Sequence, residues 1–168
     1  MVLTKDELSK SLRNEVRVLL HLASKVDPAM LDYRPTSKQR SMLELLQYLV
    51  IMGPIHLRAI EAGVFDLDAW RAAWQAGIAA AKVMSLEEVK EAIGKQPDLF
   101  AELLDSCSDA DLRADMEMFG SRASRGSWIV NLVLCHYAAY RMQLFLYLKA
   151  CGREELNTMN LWAGRDAA

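Results

Sequence analysis

The stretch Trp128–Gly152, WIVNLVLCHYAAYRMQLFLYLKACG, constrains the fold more than any other part of the chain. It is apolar on nearly all sides, and a helix hydrophobic all round is expected in an interior. Yet His136, Tyr140, Gln143 and Tyr147 recur at steps of four, three and four. At about 100° per residue, that spacing keeps them within roughly a 60° arc. The stripe therefore carries polar atoms inward, where they need hydrogen-bond partners. It is either a satisfied core network or a site.

Helix signals dominate the rest. Thr4-Lys5-Asp6-Glu7 reads as a capping box opening a helix with Leu8, Leu12, Val16, Leu19 and Ala23 inward. This helix should stop near Asp27-Pro28, because proline disfavours helix at the preceding residue. Residues 28–40 read as a loop. A second helix is expected from Ser37 or Ser41 to about Ile60, bent at Gly53-Pro54. Asp66 or Asp68 caps a stretch through Trp70, Trp74 and Ile78. Ser85 to Glu88 forms another capping box, ahead of a helix carrying Val89, Ile93, Phe100 and Leu104.

Residues 105–126 read as a long polar connection with a short extended piece at Met116–Phe119. The last helix runs from about Ser127 to Cys151, with Gly152 suited to its end. Leu161 and Trp162 in the tail are expected to pack back onto the helices. Four long amphipathic helices without a convincing strand predict an all-α fold, an antiparallel four-helix bundle forming a single domain over residues 1–168.

Charge and cysteine usage narrow the function classes. The net charge is −2 with no basic cluster, so no nucleic-acid partner is expected. The cysteines Cys107, Cys135 and Cys151 are odd in number and form no CxxC pair, which predicts a reducing, cytoplasmic setting. Neither apolar run is expected to cross a membrane. Gly53-Pro54 interrupts the first, and His136, Arg141, Gln143 and Lys149 interrupt the second.

Several residues are candidates for chemistry. His136 and Tyr140 share a helix face and can point at a common atom. Glu44 lies four residues before Tyr48 and could orient His136 or simply favour the helix start. Arg141 could bind an anion or, with Asp32, Tyr33 and Arg34, pin the first loop against the last helix. Gln143 and Tyr147 extend the stripe as further pocket candidates. His56, about 12 Å along the axis from Tyr48, reads as a rim residue. His21 reads as a hydrogen-bonded interior histidine, Cys135 as a small apolar residue, and the four tryptophans as core and interface bulk.

LDYRPTSKQRSMLELLQYL (Leu31 to Leu49) and HYAAYRMQLFLYLKACG (His136 to Gly152) resemble the two signature helices of the DinB-like superfamily. The closing ELNTMNLWAG (Glu155 to Gly164) resembles the tail of some members, and the likeness spans about residue 10 to residue 164. The superfamily is related to the YfiT-type and mycothiol-dependent proteins. The resemblance implies an up-down-down-up bundle. It also implies a divalent metal, Zn or Ni, on one histidine of the second helix and an HxxxH pair of the last. Several relatives use that metal to activate a small thiol.

Carried onto this chain, the metal positions fall on Tyr48, His136 and Tyr140, so two of the three ligands are tyrosines. Neutral tyrosine is a poor ligand for such an ion. Three functions follow as expectations. One is a bundle whose family-type site is degenerate and whose cavity binds a small molecule. Another is an active metal-dependent transferase or hydrolase using His136 with Glu44 or water. The last is a non-catalytic homodimeric interaction protein.

Overall fold

The computed structural model describes residues 3–167. Helix α1 spans Lys5–Ala23, α2 Met42–Glu61, α3 Leu67–Ala81, α4 Leu86–Gly94, α5 Gln96–Asp105 and α6 Asp109–Arg113. A hairpin of β1 (Asp115–Met118) and β2 (Ser121–Ser124) leads into α7 (Arg125–Ile129), a π-helical turn Val130–Leu134, and α8 (Cys135–Ala150). The protein is mainly helical. Capping boxes at Thr4–Glu7, Ser41–Glu44 and Ser85–Glu88 start α1, α2 and α4 by satisfying backbone N–H groups that no helical carbonyl can reach.

Some boundaries differ from the sequence expectation. α1 ends at Ala23, and Asp27 caps a separate 3₁₀ turn at Pro28–Met30. The helix expected after Ser85 is divided at Lys95, because Pro97 fits the first turn of a new helix better than the interior of an old one. The extended piece at Met116–Phe119 proves to be half of a hairpin. Phe119 and Gly120 turn it with φ of 52° and 77°, the left-handed pair that a two-residue hairpin turn requires.

The core is built by α1, α2, α4, α5 and α8. Leu12, Val16 and Leu19 meet Leu45, Leu49 and Met52, with Val89, Ile93, Phe100, Tyr137, Leu144 and Leu148 closing around them. α2 and α8 run antiparallel, since Tyr48 lies against Tyr140 while His56 lies against His136. α1 runs alongside α8 in the same direction, with Glu15 paired to Arg141 and Arg153 bonded to the Lys25 carbonyl. α3 packs chiefly on α2, where Gly77 lets the helices approach, and its Trp70 also meets Phe119 of the hairpin turn at 5.2 Å; among its residues only Ala81 is buried.

The last helix is not enclosed all round. Cys135, Ala139, Met142, Leu146 and Ala150 face outward. By length and hydropathy both α2 and the Arg125–Ala150 stretch could cross a membrane, with 56% and 28% of their apolar windows buried in this fold. Trp162 is also exposed (59%), contrary to expectation. Leu161 alone packs inward, and Trp162 presents its ring to the Arg141 guanidinium at 4.8 Å.

Proline inside α2 creates the most consequential local feature. Pro54 has no N–H to give the Val50 carbonyl. The Gln96 side chain fills that gap, its amide donating to Val50 O at 2.9 Å and Leu49 O at 3.0 Å. Tyr137, fully buried, donates its hydroxyl to Gln96 Oε1 at 2.5 Å. Gly53 makes room for this: a Cβ there would sit 2.4 Å from the Tyr137 hydroxyl oxygen and 2.9 Å from the Phe100 ring.

Candidate functional site

The antiparallel pairing of α2 with α8 brings the family positions together. Tyr48 and Tyr140 pack with ring centroids 5.0 Å apart, and His136 lies 6.1 Å from Tyr140. α3 contributes Trp74 against Tyr48 at 5.8 Å, and Trp70 stacked on Trp74 at 5.0 Å. The result is an aromatic chamber between α2, α3 and α8.

His56 corrects the sequence reading. It is buried rather than at a rim, 6.0 Å from His136 and 5.4 Å from Trp74 by ring centroids. Axial distance from Tyr48 does not exclude it, because the partner that matters lies on the antiparallel helix. In each histidine Nδ1 lies 2.8 Å from the carbonyl four residues back, Met52 for His56 and Leu132 for His136. A carbonyl can only accept, so Nδ1 carries the proton and Nε2 is left as a free lone pair in the neutral ring. The Leu132 carbonyl belongs to the π-helical turn, where the regular ladder is broken.

Burial lowers the His56 pKa, and neighbouring His136 lowers it further against the raising effect of the Met52 carbonyl. A histidine depressed in the folded state contributes stability that is complete above its unfolded pKa, about 6.5, and lost as pH falls towards its folded value. Between those limits wild type should lose stability relative to His56→Phe by up to about 1.4 kcal/mol per pH unit. Urea unfolding at pH 7.5 and 5 measures this. Parallel pH profiles for the two proteins would remove His56 as the cause.

The donor set does not fit the metal that the resemblance implies. Burial and the neighbouring Tyr140 push the Tyr48 phenol well above its ordinary pKa, so it stays neutral. Among the described residues no group of three or more His, Cys, Asp or Glu is placed to hold a metal ion. Two imidazoles fall short of the three protein ligands a catalytic zinc takes. The chamber offers instead the bare Nε2 atoms of His56 and His136. It also holds one donor without a partner, the Trp70 indole N–H, which is shut off from solvent.

The other candidates lie elsewhere. Glu44 is committed to the helix start, accepting from Ser41 N at 2.7 Å and pairing with Arg34 at 3.4 Å. Arg141 turns away from the chamber to a buried pair with Glu15 at 3.3 Å. Gln143 donates to the Tyr147 hydroxyl at 2.6 Å, which donates to the Arg40 carbonyl at 3.1 Å. The first loop is thus held by Tyr147 and by Tyr33 packed edge-on to it at 5.4 Å, not by Arg141. His21 receives the Asn160 amide at 3.1 Å, a partner that nothing local in the sequence signals.

A cavity of about 390 Å³ adjoins the chamber, and Tyr48 and Trp74 line both. Its other walls come from the loop at 34–40, the start of α2 and the end of α3.

No protein-family model matches the chain. No curated protein matches it either. Among solved structures it is similar to the crystal structure of a DinB-like protein, YjoA of Bacillus subtilis, with a TM-score of 0.67 and 16% identity over 89% of this chain and 94% of that one. The aromatic chamber is therefore built on the DinB-like fold.

Proposed function

We propose that this chain is a small-molecule-binding protein, a single-domain four-helix bundle of the DinB-like type in which the metal centre has been replaced by an aromatic, two-histidine chamber. The observation that carries the reading is the Trp70 indole N–H, buried without a partner in the cluster that holds His56 and His136. An unpaired buried donor costs about 1–3 kcal/mol, which a ligand bearing an acceptor would offset. The free Nε2 atoms supply acceptors for the ligand's own donors. Tyr48 and Trp74, backed by Tyr140 and Trp70, favour a flat, apolar body where they open onto the cavity.

Two measurements test this. Protein purified without an affinity tag should carry Zn and Ni far below one ion per chain. A stoichiometric metal that disappears in His136→Ala would overturn the proposal and restore the metalloenzyme. N-phenyl-1-naphthylamine, a neutral aromatic probe, should bind at one site per chain, and Tyr48→Ala and Trp74→Ala should each weaken it. Absence of binding to folded wild type would also count against the reading.

A further inference from the structure

The cavity beside the chamber carries a charge pattern that identifies its ligand more closely. Arg34, Lys38, Arg40 and Lys82 line it, against a single carboxylate, Glu44. That carboxylate is already engaged by the Ser41 N–H and by Arg34. The chain as a whole is acidic, at −2, so this local excess of positive groups runs against the average of the surface.

One of these groups is held in place, and the backbone that carries another is fixed. The Arg40 guanidinium lies over the face of Tyr48, 4.0 Å from the ring centroid, as a cation–π pair. The turn bearing Lys82 is tied to α2 because the buried Gln47 donates its amide to the Lys82 carbonyl at 3.2 Å and the Met84 carbonyl at 2.9 Å. The floor beneath is Tyr48, Ile51, Trp74 and Ile78. A cationic rim over an aromatic floor fits one ligand class.

We propose that the cavity binds a small organic anion, a flat aromatic body bearing a carboxylate, sulfonate or phosphate, with the ring on Tyr48 and Trp74 and the anionic group between Arg40 and Lys82. This rests on the small-molecule reading above. Guanidinium and ammonium groups recognise each of these anions by charge-assisted hydrogen bonds, so the charge and the ring together define the class.

The probes are 1-anilinonaphthalene-8-sulfonate and the neutral N-phenyl-1-naphthylamine, which share a ring system and differ in the sulfonate. Wild type should prefer the sulfonate at least about tenfold. Arg40→Ala/Lys82→Ala should abolish that preference, weakening the sulfonate at least about tenfold more than the neutral probe. Both positions are exposed, and circular dichroism with thermal unfolding confirms that the variant is folded. Raising the salt should weaken the sulfonate alone.

Equal binding of both probes, unaffected by the double substitution, overturns the anion proposal and leaves the small-molecule reading standing. Binding of neither probe to folded wild type overturns both. A sulfonate preference that survives Arg40→Ala/Lys82→Ala places the anion site elsewhere and also overturns it. Carboxylate and phosphate analogues of one ring, competed against the sulfonate, distinguish which anion the rim takes.

Discussion

Gln96→Leu will lower stability by about 3–5 kcal/mol in urea unfolding, because it strands several buried polar groups at once. The Val50 carbonyl has no helical donor, since residue 54 is proline, and the Gln96 amide is its partner at 2.9 Å. The Leu49 carbonyl loses its Gln96 bond, and the Tyr137 hydroxyl loses its acceptor at 2.5 Å and keeps only the Leu49 carbonyl, at 3.5 Å, in a position with no access to water. Each stranded group costs about 1–3 kcal/mol, whereas removing both members of a pair can be nearly neutral. Tyr137→Phe in the Gln96→Leu background should therefore cost less than Tyr137→Phe alone, a coupling of about 1–2 kcal/mol in a double-mutant cycle. Additive losses, or a loss below about 1 kcal/mol for Gln96→Leu, would show that the network does not hold α2.

The same network bears on the site. Tyr137 follows His136 on α8, and Gly53-Pro54 precedes His56 on α2 by two residues. The close approach permitted by Gly53 fixes how near α2 lies to α8 at that level. Unsatisfying Gln96 loosens the separation of His56 from His136, so weakened probe binding should accompany the stability loss.

What was legible in the sequence follows how local each interaction is. The starts of α1 and α4 could be read because a capping box lies within four residues, whereas the start of α2 stood open between Ser37 and Ser41 until the structure showed the box at Ser41–Glu44. The helical character of the last stretch could be read from composition alone. Its enclosure could not, because hydropathy reports what a face tolerates and not whether a neighbour covers it; Met142 and Leu146 stand exposed. The hairpin was half visible, since Phe119-Gly120 lacks the Asn-Gly signature and puts a phenylalanine at positive φ.

The chamber divides in the same way. The juxtaposition of Tyr48, His136 and Tyr140 was legible through the family likeness. Gln143 and Tyr147 lie on the predicted stripe but serve the Arg40 loop. His56, Trp70 and Trp74 depend on the relative placement of α2, α3 and α8, which no single-helix periodicity contains. Arg141 was placed on the wrong partner because its position, one residue past Tyr140, turns it about 100° towards α1 and Glu15.

Arg125 escaped the sequence reading altogether, and its removal should be among the most damaging single changes. It sits in a polar run, SRASRGS, that reads as loop. Its side chain is nonetheless 9% exposed, donating from Nε to the Ile60 carbonyl at 2.9 Å and from an η nitrogen to the Glu61 carbonyl. These carbonyls end α2, where the helix dipole is negative and few backbone donors remain; the Ile60 carbonyl also accepts from Gly63 N at 3.1 Å. The guanidinium also contacts Cys107 Sγ at 3.3 Å and Asp111 at 3.6 Å, joining α2, the α5–α6 turn and α7 at one point. Arg125→Ala should cost about 3–5 kcal/mol, because two hydrogen bonds from a charged donor are lost, each worth about 1.5–3 kcal/mol. Arg125→Lys should recover less than half of that loss, because a single ammonium supplies charge without the planar fork that reaches both carbonyls. Full rescue by lysine in urea unfolding would mean that charge at the helix end, and not the directed bonding of the two carbonyls, secures this corner of the fold.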